Sequence, residues 1–88
     1  MTSFKNLRAL NDNEMRLYLK AETQGTGGTW DDKKTAAQIA EELYVEYEIV
    51  LVQQDRDKMI VRTNDDGKVH ILTIDKQSAQ FTDGSGVN

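Results

Sequence analysis

Apolar residues along this chain follow two rhythms, and the change from one to the other comes near Val45. Before it, Ala36, Ile39, Ala40 and Leu43 recur at i, i+3, i+4 and i+7, the stripe of an amphipathic helix. This predicts a helix from about Asp32 to Leu43, with Asp31 and Asp32 as caps. Met15, Tyr18 and Leu19 share one face of an earlier helix, predicted from Asp12 to Thr23. Asn11 stands at its N-cap, with Glu14 three residues on as the reciprocal member of a capping box. Phe4, Leu7 and Leu10, at steps of three, predict a further short helix or a packing arm.

After Val45 the period becomes two. Val45 to Val52 is rich in β-branched and aromatic residues, and reads as a strand. Gln53 to Asp57 is a polar break, and Met59, Ile60 and Val61 form a second strand. Asn64-Asp65-Asp66-Gly67 is a hairpin turn in which glycine takes the positive φ. Val69 to Ile74 is a third strand. Its two faces, Val69, Ile71 and Thr73 against His70, Leu72 and Ile74, are both partly apolar, so the buried face stays open. The expected fold is α+β: two or three N-terminal helices packed on a three-stranded antiparallel meander. Residues 1–82 form one domain, and residues 83–88, D-G-S-G-V-N, form a flexible tail.

Composition narrows the class. The 88 residues suffice for one compact domain. There is no cysteine, hence no disulfide framework and no thiolate metal site. With no apolar run at the start and none long enough for a span, a cytoplasmic protein away from membranes is expected. The net charge is −4 and the pI about 4.8, a balance that disfavours nucleic acid as partner.

Candidate chemistry is sparse. The loop Gln24 to Thr29, Q-G-T-G-G-T, follows a helix and lacks a Gly-Lys-Ser/Thr ending, so it reads as a connector. His70 is the single histidine, with no second nitrogen or sulfur ligand to complete a zinc site. Asp55 with Asp57, and Asp65 with Asp66, sit in predicted turns, where aspartate bonds to its own backbone. No catalytic constellation, cofactor or metal is expected. Glu41, Glu42, Glu46 and Glu48 crowd one short window, and Trp30 is the one tryptophan. Together they suggest a contact for a protein with a basic surface, with Trp30 as anchor. The expected role is a small acidic regulator, inhibitor or adaptor, acting on transcription or nucleic-acid machinery.

From Leu10 to Ile74 the chain also resembles winged helix-turn-helix domains. The resemblance rests on Arg16-Leu17-Tyr18-Leu19, on Gly28-Thr29-Trp30 as a short strand, and on T-A-A-Q-I-A-E-E-L-Y-V, Thr35 to Val45. It implies an alternative, DNA-binding function: the segment after Val45 would read bases, and Arg62, Lys68 and His70 around the wing would hold phosphates. Two departures stand out. The residue after the helix-two leucine is usually glycine in such domains, whereas here it is Tyr44, for which positive φ is unfavourable. A reading helix over Glu46 to Asp57 would have no basic residue before Arg56.

Overall fold

The computed structural model describes residues 8–82. In chain order the elements are β1 (Arg8–Ala9), α1 (Asp12–Gly25), α2 (Ala36–Glu42), β2 (Glu48–Gln54), β3 (Lys58–Asp65), β4 (Lys68–Asp75) and β5 (Gln80–Thr82). Each strand is antiparallel to its neighbour, in the order β1-β2-β3-β4-β5. Both helices are inserted between β1 and β2.

This corrects the expected fold. The sheet has five strands rather than three, one of them ahead of the helices, and the described residues hold two helices. The reason is length. β1 and β5 have two and three residues, too few to show an alternation, and each joins the sheet through backbone pairing. Arg8 pairs with Leu51 and Ala9 with Val50, a contact that no local signal announces. β5 is held through Phe81, whose ring lies 5.9 Å from that of Tyr18 in α1. The predicted helix or arm over Ser3 to Leu10 falls largely outside the described residues, with its last part in β1. The predicted tail lies outside them altogether.

The helices begin where side chains can satisfy free N–H groups. At α1 the Asn11 side chain accepts from the Glu14 N–H (2.8 Å), and the Glu14 carboxylate accepts from the Asn11 N–H (2.9 Å). α2 starts later than predicted. Its cap is Thr35, paired reciprocally with Gln38, while Asp31 accepts from the Lys33 N–H and holds a turn ahead of the helix. At β3–β4, Asp66 and Gly67 both take positive φ, the two-residue turn whose twist matches the strands. The stretch Glu46 to Asp57 holds β2 and its flanking turns, and Gly28 to Trp30 is irregular.

The α1 helix lies on one face of the sheet, and α2 packs against α1 on the same side. Tyr18, Leu19 and Ile39 pack there against Ile49, Leu51, Met59, Val61 and Ile74. Each such side chain, once fully buried, contributes roughly 1.5–3 kcal/mol. On β4, Ile74 and Leu72 belong to this side, while Val69 and Ile71 face away from it. That settles the question left open by the alternating pattern.

Glu14 joins the parts. Only 7% exposed, its carboxylate receives two bonds of 2.7 Å from the Arg8 guanidinium, one from Gln54 Nε2 at 2.5 Å, and the cap bond. It thereby ties β1 and β2 to the start of α1. Hydrogen bonding from Arg8 is the main cause that holds its carboxyl at about 2, against the opposing pull of burial.

Candidate functional site

α2 ends in a reversal of the chain. The Val45 N–H donates to the Ala40 carbonyl (2.9 Å) and the Tyr44 N–H to the Glu41 carbonyl (3.2 Å). This pair of bonds is the Schellman ending, which requires the first residue beyond the cap to be left-handed. That residue is Tyr44, with φ 57°. Its side chain is 82% exposed, so the strained backbone is not offset by burial of the ring. An L-residue with a Cβ in this conformation costs roughly 1 kcal/mol relative to glycine.

Tyr44 borders a shallow groove with Lys34, Gln38, Glu41 and Glu42. The Lys34 ammonium bridges both oxygens of Glu42, at 2.9 and 2.8 Å. This bonding raises the pKa of Lys34 and keeps the ammonium charged. Beyond that ion pair lies a second depression of about 270 Å³, with Ile39 and Leu43 as apolar lining and Trp30, Asp31 and Thr23 around it. The Trp30 indole N–H donates to Asp32 Oδ1 (2.5 Å), and the Arg16 guanidinium sits 5.2 Å from the ring centroid. Arg16 also donates to the Lys34 carbonyl. Trp30 is therefore half-buried and clasped between α1 and the loop.

The structure brings Trp30, Glu41 and Glu42 to one end of the molecule. Glu46 is exposed in the loop two residues past Tyr44. Glu48 is not part of this surface. It opens β2 on the side away from the helices, where it lies 3.8 Å from Arg62. The alternative set is divided as well. Arg62 is opposite Ile71 on the open face, whereas His70 is opposite Thr63 on the helix side, with Lys68 in phase with it. Tyr44 joins the site although the charge pattern does not single it out. Its signal in the sequence is the bulky residue at a position where the helix ending favours glycine.

Lys68 and His70 border another cleft, of about 300 Å³, with Tyr18, Tyr47, Glu22 and Asp65. The Tyr18 and Tyr47 hydroxyls lie 2.5 Å apart. Burial, first of all, raises the pKa of both phenols. They remain protonated and act as hydrogen-bonding groups. Among the described residues, no three His, Asp or Glu side chains are grouped so as to hold a metal ion. Nor, among the described residues, is any helix long and apolar enough to cross a membrane. Comparison with protein-family models, with curated proteins and with solved structures finds no match for the chain.

Proposed function

We propose that this is a non-catalytic regulatory or adaptor domain that binds a protein with a basic surface through the end of α2. One observation carries the reading: Tyr44 is held left-handed and exposed beside Glu41 and Glu42, with Glu46 exposed two residues further on. Strain of this kind clusters at functional surfaces. An exposed tyrosine offers large contact area with few rotatable bonds, which suits the centre of an interface. The carboxylates around it would steer a Lys- or Arg-rich surface and suppress acidic partners. Glu42 is already neutralised by Lys34, so Glu41 and Glu46 carry the free charge. The Trp30 depression, adjoining across the Lys34–Glu42 pair, supplies an apolar subsite for a neighbouring side chain.

The test is affinity capture from native lysate with the wild-type chain, with Tyr44→Gly and with Glu41→Lys/Glu46→Lys, each with and without nuclease. A stoichiometric protein retained by the wild type after nuclease and lost from both variants is expected. If both variants retain it, this surface is not the binding site. If capture depends on nucleic acid, the DNA-binding alternative takes its place.

A further inference from the structure

We infer that two copies of this chain pair through the open face of the sheet, stacking the two sheets back to back with the helices outermost. An antiparallel sheet with one covered face ordinarily shows polar residues on the other. Here the open side presents Val50 and Val52 from β2, Ile60 from β3, and Val69 and Ile71 from β4. Val69 is 53% and Ile71 38% exposed. An exposed aliphatic sheet face of this kind marks an association surface.

Charge identifies the occupant. Arg62 lies at the centre of this face, directly between Val50 and Ile71 on the flanking strands. Its Nε is shielded from solvent and has no hydrogen-bond partner among the described residues, and its guanidinium reaches Glu48 only at 3.8 Å. Glu48 lies diagonally from Arg62 on the neighbouring strand. A two-fold axis passing between them sets Arg62 of each copy against Glu48 of the other. That reciprocity is what an isologous contact requires. The open-side strand positions are also balanced, Lys58 and Arg62 against Glu48 and Asp75, although the chain as a whole carries −4. Two acidic copies can therefore meet on this face without like-charge repulsion. The pair would carry two outward acidic α2 ends, and so engage a repeated partner with avidity.

Sedimentation velocity on the intact chain tests this, from about 1 to about 200 μM, a range that spans ordinary dimer affinities. The expected result is a concentration-dependent species of twice the 10.0 kDa chain mass. Ile71→Glu, at a half-exposed position, should hold the chain monomeric and leave the melt of the dilute, unpaired chain unchanged. Arg62→Glu should weaken pairing at least about tenfold, and Glu48→Arg/Arg62→Glu should restore it. A monomer at every concentration overturns the inference. So does a dimer that Ile71→Glu and Arg62→Glu leave intact, since it would use another face.

Discussion

The two helices end with the same hydrogen bonds but different residues. At α1 the Gly28 N–H donates to the Thr23 carbonyl (2.9 Å) and the Gly27 N–H to the Gln24 carbonyl (3.1 Å), with Gly27 left-handed at φ 82°. At α2 the same two bonds close around Tyr44. A Cβ at Gly27 would meet nothing within 4 Å, so backbone freedom alone explains glycine there. The α2 ending has the same geometric demand and meets it without a glycine. Where two equivalent turns differ in this way, the costlier one points to a role outside folding. The helix starts differ in the same sense. Both are closed by capping boxes, but the α1 box is part-buried, through Glu14, and tied to β1 and β2, whereas the α2 box is exposed. α1 is thus the anchored helix, and α2 the presented one.

The largest expected effect falls on the anchored end. Glu14→Ala removes the cap bond, the Arg8 pair and the Gln54 bond together, and should cost about 2–3 kcal/mol in urea unfolding. The same group makes stability depend on pH. Its folded pKa of about 2 lies below the ordinary 4.5, so its contribution is present above about pH 4.5 and is lost as pH falls toward 2. Unfolding midpoints measured between those limits should fall steeply for the wild type and less so for Glu14→Gln. A wild-type profile matching that of Glu14→Gln would remove the anchoring role.

Next comes the presented end. Tyr44→Gly should weaken partner binding at least about tenfold, or about 1.4 kcal/mol, by calorimetry with the captured partner. The same variant should raise folding stability by about 0.5–1 kcal/mol, because it relieves the left-handed strain. A stability gain with a binding loss is the signature of a residue kept for function. If Tyr44→Gly were neutral in both assays, the contrast between the two helix ends would have no consequence.

The smaller effects test symmetry. Gly27→Ala should destabilise by about 1 kcal/mol, opposite in sign to Tyr44→Gly although both alter the same turn position. Gln38→Ala, at the exposed box of α2, should cost no more than about 0.5 kcal/mol by the same chemical unfolding, well below Glu14→Ala. Comparable losses for Gln38→Ala and Glu14→Ala would erase the distinction between anchored and presented helices.

Much of this was legible from local signals. Asn11 with Glu14 announces the start of α1, and Asp66-Gly67 the β3–β4 turn, because each works within four residues of chain. The three long strands lie about where the alternation places them, although the sheet as a whole is larger than the meander expected. Trp30, Glu41 and Glu42 share one end because Trp30 shortly precedes a single short helix and the two glutamates close it. Glu48 follows soon after in sequence, yet it belongs to the opposite side of the sheet. A run of glutamates does not show where the chain turns from helix to strand.

The amino-acid sequence by itself determined the α1 cap, the β3–β4 turn and the approximate positions of the long strands, since these depend on contacts between near neighbours. Only the tertiary structure decided the rest. β1 and β5 exist because the edges of β2 and β4 supply partners, and two or three residues have no preference strong enough alone. Which side of β4 is buried depended on where α1 settles, since both sets of side chains are apolar enough to serve. The same choice left Val69, Ile71 and Arg62 facing outward and set Arg62 beside Glu48. Tyr44 became left-handed because the chain must reverse after α2 to enter the sheet, a demand that overrides its own preference.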